Sequence, residues 1–248
     1  MNNKFHFSVD DVFESLIEIS DNNIPIKKHW FFKILYNLWK KYKIKTALYL
    51  FYQKKINGKI RTLREVKNIK DQLKENWIYF NFHGLDSQNP PFAQSLKNQK
   101  KTFEKIRSEI IRFAGKKNFS SFVRLHYYSE SFELSKYFRQ KKIKGLFTTD
   151  KKIVSYKLPQ KNKDDLFIKS FSFFKNLKFI RTDFRIEKLS QKQKFKKLKS
   201  IFLEKINNKK NIVIYTHEYE LKKKINLKCL QKSIKILVKD LKLKNIKP

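Results

Sequence analysis

Cysteine and glycine are both scarce in this sequence. Cys229 is the only cysteine in 248 residues, so the chain cannot form an intramolecular disulfide, and a four-cysteine zinc site is excluded. We expect Cys229 to be a small buried side chain in the last helix. The chain has four glycines, and none forms a glycine-rich loop after a strand. This argues against the nucleotide-cofactor sites that depend on such a loop.

Long apolar runs are also missing. No run reaches the ~18 apolar residues of a membrane span, and no signal-peptide pattern precedes the first predicted strand. We therefore expect no transmembrane segment and a cytoplasmic location. An apolar stripe at helical spacing near the carboxyl end consists of Leu230, Ile234, Leu237 and Leu241. It predicts a helix packed on the protein core, and weak attraction of this lysine-rich helix to an anionic membrane is the alternative.

Acidic residues and arginines are few. The chain has 59 Lys and Arg against 22 Asp and Glu, a formal charge of +37, yet only eight of the basic residues are Arg. Proteins that bind nucleic acid favour Arg for base and phosphate contacts, usually clustered on one face, whereas these lysines are spread along the chain. We expect no specific nucleic-acid partner. A hydrophobic fraction of 40% is typical of a folded protein despite the charge.

Seven short runs rich in β-branched and aromatic residues predict strands. They cover residues 4–9, 46–52, 77–82, 121–128, 145–149, 179–186 and 211–216. Apolar residues at helical spacing lie between several of them, at residues 12–19, 29–42, 95–115 and 129–141. The strands start about 34 residues apart, near the ~31 residues per unit of a (β/α)8 barrel. The sequence therefore predicts an α/β fold, an irregular (β/α)7 barrel with mostly parallel strands in a single domain over residues 1–248. An open doubly wound sheet is the alternative.

Polar side chains lie at the end of several of these strands or just after it. They are Asp10, Asp11, His83, Asp86, Arg124, His126 and His217. The carboxyl ends of parallel strands converge on one face of such a sheet, and active sites are built there. Asp and His together are a ligand set for a zinc-type metal. Each residue also has a simpler explanation, because either aspartate could cap the helix at 12–19 and the histidines could be hydrogen-bonded core residues.

The order of these motifs resembles that of the NodB-homology polysaccharide deacetylases, carbohydrate esterase family 4. The resemblance spans nearly the whole chain and is carried by "SVDDV" (8–12), "FHGLDS" (82–87), "RLHY" (124–127) and "YTHEY" (215–219). The sequence is most similar to a divergent branch associated with surface-glycan biosynthesis. The resemblance implies a metal-dependent hydrolase that removes an acyl group from an N-acylated sugar or glycan during synthesis of a cell-surface polysaccharide.

The resemblance also implies roles for four residues around the reacting amide. Asp10 is expected to be the base and His217 the acid. Arg124 is expected to orient Asp10 by a charge-assisted hydrogen bond, and the backbone N–H of Tyr127 to stabilise the oxyanion. A non-catalytic basic protein of the same fold, or a nucleic-acid-binding protein, is the alternative. The sequence does not specify the oligomeric state.

A divalent metal, expected to be zinc, is implied with Asp11 and His83 as two of its ligands. Ser87 stands where the family has its second metal-binding histidine, so the third ligand must come from elsewhere. We expect His126, which replaces the proline of the family motif, to supply it. Asp86, three residues after His83, is the other candidate.

Overall fold

The computed structural model describes residues 3–128, 132–151, 157–208 and 211–246. The strands in this part of the chain are β1 (Lys4–Val12), β2 (Thr46–Phe51), β3 (Gln53–Ile56), β4 (Lys59–Thr62), β5 (Ile78–Gly84), β6 (Phe122–Val123), β7 (Gly145–Thr148), β8 (Phe171–Phe174), β9 (Leu177–Arg181), β10 (Phe184–Arg185), β11 (Asn211–His217) and β12 (Lys244–Asn245). The α-helices are α1 (Glu14–Asp21), α2 (Trp30–Tyr42), α3 (Leu96–Ala114), α4 (Phe132–Gln140), α5 (Gln160–Lys169), α6 (Ile186–Leu189), α7 (Lys192–Lys196), α8 (Leu198–Asn208) and α9 (Lys224–Lys235).

The strands form a main sheet, a smaller sheet and a hairpin. The main sheet has the order β10-β11-β1-β2-β5, with β12 also beside β1, and every pairing in it is parallel. The smaller sheet has the order β6-β7-β9-β8, in which only the β8–β9 pairing is antiparallel. Strands β3 and β4 form the antiparallel hairpin. The structure thus confirms an α/β fold with mostly parallel strands.

Among the described residues, backbone hydrogen bonds do not close the strands into a complete barrel, so the predicted barrel is an open, irregular one. On one side, β5 contacts the segment before β6 through an isolated parallel bridge between Phe80 and Phe119. On the other side, β9 leads through Thr182 and Asp183 into β10, which pairs with β11 of the main sheet. The two sheets are therefore joined at both edges, but the short strand β6 leaves the ladder incomplete.

The central strands are buried on both faces, as parallel strands covered by helices require. All residues of β2 and β5 are buried. One hydrophobic cluster extends from Phe5 near the amino end to Leu243 near the carboxyl end. Cys229 is buried in α9, as expected. The neighbouring stripe is also buried at Leu230 and Ile234, which confirms that this helix packs on the core.

The fourth predicted strand, at residues 121–128, is mostly not a strand. Only Phe122–Val123 pairs in a sheet, and a 3₁₀ turn follows at His126–Tyr128. Tyr127 and Tyr128 both have a φ of 56°, which lies in the left-handed region and ends an extended strand. The aromatic composition of the segment hid this turn. Of the helix predicted at 129–141, residues 129–131 lie outside the described residues.

No helix within the described ranges combines the length and the apolar composition that crossing a bilayer requires.

Candidate active site

A cavity of about 600 Å³ lies at the carboxyl end of the main sheet. It brings together six of the predicted site residues, Asp10, Asp11, His83, His126, Tyr127 and His217. Tyr127 adopts its left-handed conformation in the turn at the rim and leaves 57% of its side chain exposed. The remaining two candidates lie elsewhere, since Arg124 is fully buried and Asp86 lines a different cavity.

The end of β1 is shaped to present two consecutive aspartates. The pairing of β1 with β2 shifts register between Val9 and Val12, and Asp11 has a φ of 60°. A bulge of this kind re-aims side chains at a strand end, and Asp tolerates the left-handed conformation better than most residues do. Asp10 stays in register opposite His217 of β11. Both carboxylates consequently line the same cavity.

Asp10 is held against a buried guanidinium. Arg124 is fully buried, and its Nε lies 3.4 Å from Asp10 Oδ1, an ion pair without the alignment of a good hydrogen bond. Four aromatic rings surround its guanidinium, those of Tyr49, Tyr128, Phe147 and Tyr215. Burial raises the pKa of Asp10 above its usual value, and the charge of Arg124 opposes this without cancelling it. A carboxylate with a raised pKa is closer to the range of a useful general base.

Asp11, His83 and His126 place three ligand atoms within 4.8 Å of one another. His83 Nε2 lies 3.1 Å from Asp11 Oδ1 and 3.3 Å from His126 Nδ1. His126 Nδ1 lies 3.7 Å from Asp11 Oδ1. His83 Nδ1 donates to the backbone carbonyl of Arg124 at 2.7 Å. Nε2 is therefore the ring nitrogen that faces Asp11, either to donate a hydrogen bond to its carboxylate or, without a proton, to bind a metal.

These distances fit a divalent metal. Two atoms each ~2.0–2.1 Å from a tetrahedral ion are about 3.3 Å apart. Burial alone would raise the pKa of Asp11, but the hydrogen bond and charge of His83 lower it to about 2. Burial, with the charge of His83, lowers the pKa of His126 to about 4. At neutral pH the group therefore offers an ionised carboxylate and a neutral imidazole, which are the forms that bind metal.

Asp86 does not join this group. One of its oxygens accepts from the backbone N–H groups of Gln88 at 2.9 Å and Asn89 at 2.7 Å. The other accepts from the side chain of Gln53 at 2.9 Å. Asp86 thus organises the loop after β5, which is a frequent use of Asp in turns. Proximity in sequence to His83 did not bring its carboxylate to the group formed by Asp11, His83 and His126.

Sequence reasoning missed Glu187, which lies beside His217. Glu187 Oε1 accepts from the backbone N–H of His217 at 3.0 Å and from its Nδ1 at 3.1 Å. Burial alone would lower the pKa of His217, but the hydrogen bond to Glu187 and the charges of Asp10 and Asp11 outweigh it and raise this pKa. Glu187 lies in the first turn of α6, directly after β10. The position of Glu187 directly after the predicted strand 179–186 was the sequence feature that could have identified it.

Neither Asp10 nor Asp11 caps α1, which removes the simpler explanation for the pair. Among the described residues the cap comes from Glu218, whose carboxylate accepts from the backbone N–H groups of Phe13 at 2.8 Å and Ser15 at 2.6 Å. The N-cap residue itself, Phe13, contributes no side-chain bond. The two aspartates are therefore available to the cavity.

Comparison with known proteins finds similarity in structure only. No protein-family model and no curated protein sequence matches the chain. The Bc1960 peptidoglycan N-acetylglucosamine deacetylase aligns with a TM-score of 0.56 and 11% identity over 98% of this chain and 85% of its own. The CE4 esterase of Streptococcus mutans aligns with a TM-score of 0.53 and 10% identity over the same shares. The chain has the fold of the carbohydrate esterase family 4 deacetylases. This confirms the fold that the motif order predicted.

The deacetylase fold does not by itself fix the reaction. A 4-α-glucanotransferase from Thermococcus litoralis aligns with a TM-score of 0.59 and 13% identity over all of this chain. The chain spans 40% of that enzyme's length. Since two chemistries share the architecture, the side chains around the cavity must decide between them.

Proposed function

We propose that this protein is a metal-dependent hydrolase that removes the acyl group from an N-acylated sugar, and that it acts in cell-surface polysaccharide synthesis. The observation that supports the proposal is the convergence of three elements on one cavity: a carboxylate held by a buried arginine, a three-ligand group, and a histidine paired with a carboxylate. Amide hydrolysis needs a base, a stabiliser of the oxyanion and an acid for the departing amine. The cytoplasm remains the predicted compartment.

Asp10 is the base in this proposal and His217 the acid. Arg124 keeps the Asp10 carboxylate in place, because its guanidinium is packed among aromatic rings and cannot swing away. Glu187 accepts from Nδ1 of His217, so Nε2 is the nitrogen that exchanges a proton with a substrate in the cavity. The raised pKa of His217 keeps more of it protonated near neutral pH, as an acid requires. The backbone N–H of Tyr127 is proposed to donate to the oxyanion.

Asp11, His83 and His126 are proposed to hold the metal, with zinc as the ion that best suits two imidazoles and a carboxylate. When bound, such an ion polarises the amide carbonyl and acidifies water. The chain fixes His83 for this role through the carbonyl of Arg124. Arg124 therefore supports the site twice, with its side chain at Asp10 and its backbone at His83.

The test is release of acetate from N-acetylated sugars by the full chain supplied with zinc. We expect a chelator to abolish the activity, and Asp10→Asn to reduce it at least ~100-fold, the typical contribution of a general base. Asp11→Asn should remove the metal while the fold survives, because Asn also tolerates the left-handed conformation. Asp71→Asn is the matched control, since this carboxylate is exposed and remote from the cavity.

Two results would contradict the proposal. Metal-replete protein that retains no ion would favour a non-catalytic protein of the same fold. If the protein binds zinc but Asp10→Asn releases acetate as fast as the parent does, Asp10 is not the base. The group of Asp11, His83 and His126 would then serve another reaction. A nucleic-acid-binding protein would instead be recognised by binding that weakens steeply with salt and ignores chelators.

A further inference from the structure

The wall of the cavity carries an arginine that the proposed hydrolysis does not use. Arg185 ends β10 and is paired in register with Tyr215 of β11. Its Nε donates to the hydroxyl of Tyr215, and its guanidinium lies over the Tyr215 ring at 5.1 Å. These two contacts fix the side chain and leave the two terminal nitrogens to interact with a ligand. Tyr215 is itself fully buried, so the support is rigid.

Among the described residues, Arg185 forms no ion pair. The charge of nearby Asp150 acts on its guanidinium, but that carboxylate is bound to Lys188. Two lysines of the same cavity are paired, Lys54 with Glu14 at 2.6 Å and Lys188 with Asp150 at 2.5 Å. This half-buried guanidinium therefore has no directly bound carboxylate among the described residues to offset its loss of hydration. A ligand anion in the cavity would supply that partner.

Abundance of basic residues does not explain this arrangement. The chain is rich in lysine, so the number of lysines at the cavity decides nothing. Arginine is rare here, and its planar fork binds an oxyanion through two parallel hydrogen bonds. Lys151, which also lines the cavity and is exposed, adds a second positive charge.

Arg185 lies close to His217, the proposed acid of the reaction. Arg185 is opposite Tyr215, and His217 follows two residues later on the same strand, about 7 Å along β11. Resting on the proposed function, we propose that the substrate is a phosphate-bearing N-acylated sugar whose phosphate is bound by Arg185 and Lys151. A neutral polymer would offer no anion to either side chain. The phosphate belongs either to a sugar phosphate or to a nucleoside-diphosphate sugar.

Binding of matched probes to the chelator-treated full chain tests this proposal. Calorimetry compares N-acetylglucosamine with N-acetylglucosamine 1-phosphate, and chelation prevents the phosphate from binding to a metal instead. We expect the phosphorylated probe to bind at least about tenfold more tightly, as charge-assisted hydrogen bonds allow. Arg185→Gln should remove most of this preference. A uridine-diphosphate-linked N-acetylglucosamine arm distinguishes the two sources, because the nucleotide-linked sugar binds more tightly than the sugar phosphate only if the cavity also accepts the nucleotide.

Two further variants keep the test decisive. Lys151→Gln changes an exposed side chain and reports on the same phosphate if Arg185→Gln fails to fold. Arg64→Gln removes an exposed arginine outside the cavity and should leave the preference unchanged. Equal affinity for both probes, or a preference that survives both cavity variants, would overturn the proposal even if the protein releases acetate. A phosphate preference without acetate release would retain this subsite and reject the proposed hydrolysis.

Discussion

His126 is the residue on which the metal proposal depends most. It begins a turn in which the next two residues, Tyr127 and Tyr128, are in the left-handed conformation. Its Nδ1 lies 3.3 Å from Nε2 of His83. We expect His126→Ala to lose most of the bound zinc, because an aspartate and one histidine alone make a weak site. Asp86→Ala should retain the metal, since its carboxylate is used by the loop. Metal content at equal folded concentration is the measurement.

The comparison of these two variants has an informative reverse outcome. Zinc retained by His126→Ala and lost from Asp86→Ala would move the third ligand to Asp86. It would also mean that the loop after β5 rearranges when metal binds, because Asp86 now lines a separate cavity.

Glu187 should control the pH dependence of the reaction through His217. The pKa of His217 is raised above its usual value, chiefly by Glu187 once burial is overcome. Glu187→Gln keeps an oxygen to accept the hydrogen bond but removes the charge, so this pKa falls. The alkaline limb of the rate profile should then move to lower pH, because the acid deprotonates earlier. If the alkaline limb of the profile does not move in Glu187→Gln, a group other than His217 is the acid.

The same pair has an effect on stability that can be checked without activity. Since the folded pKa of His217 exceeds the unfolded one, the ion pair stabilises the fold below about pH 6.5. That contribution is lost as the pH rises through the folded pKa. Denaturation of Glu187→Gln should therefore differ from that of the parent most between about pH 4.5 and pH 6.5, where both partners are charged. The difference should shrink as the pH rises through the folded pKa of His217, and also at lower pH as Glu187 becomes protonated.

The helix α1 begins without a cap of its own and depends on Glu218, which is distant in sequence. Two backbone N–H groups donate to this buried carboxylate. Glu218→Ala leaves both donors without a partner and should lower the free energy of unfolding by about 2 kcal/mol. Denaturant titration measures this. Asp71→Ala, an exposed acid, should change stability by less than about 0.5 kcal/mol. If Glu218→Ala lowers the free energy of unfolding no more than Asp71→Ala does, the Glu218 carboxylate does not stabilise α1.

The shared hydrophobic core predicts that both sheets unfold together, as one domain. Gly145 of β7 is the place to test this, because a Cβ there would lie 2.5 Å from the backbone oxygen of Lys178 and 2.9 Å from the ring of Phe122. Gly145→Ala should destabilise the protein by about 1–3 kcal/mol through overpacking. The tryptophans, all in the first 77 residues, should report the same lowered midpoint as circular dichroism.

Gly84→Ala is the matched control for this experiment. A Cβ at Gly84 would meet its nearest neighbour, a ring carbon of Phe51, at 3.5 Å, an ordinary contact. We expect only a small change in stability. Separate transitions for tryptophan fluorescence and circular dichroism in Gly145→Ala would divide the chain into two folding units.

Apolar patterning in the sequence was enough to predict the α/β architecture. Runs such as 46–52 and 77–82 are apolar on both faces, which only a covered parallel strand requires. The order of the strands also placed Asp10, Asp11, His83 and His217 at one end of the sheet, because parallel strands share the direction of their carboxyl ends. These predictions needed no knowledge of which residues touch.

Only the tertiary structure decided the contacts that complete the site. Glu218 and Phe13 are 205 residues apart, and Glu187 and His217 are 30 apart, separations at which local patterns carry no signal. The position of His126 near Asp11 and His83 depends on the left-handed turn after β6, which the strand-like composition of that segment concealed. The sequence by itself determined the central parallel strands and the end of the sheet at which their polar residues lie, because apolar patterning and chain direction can be read along the chain. The tertiary structure decided which side chains contact each other, because such contacts depend on where segments distant in sequence meet.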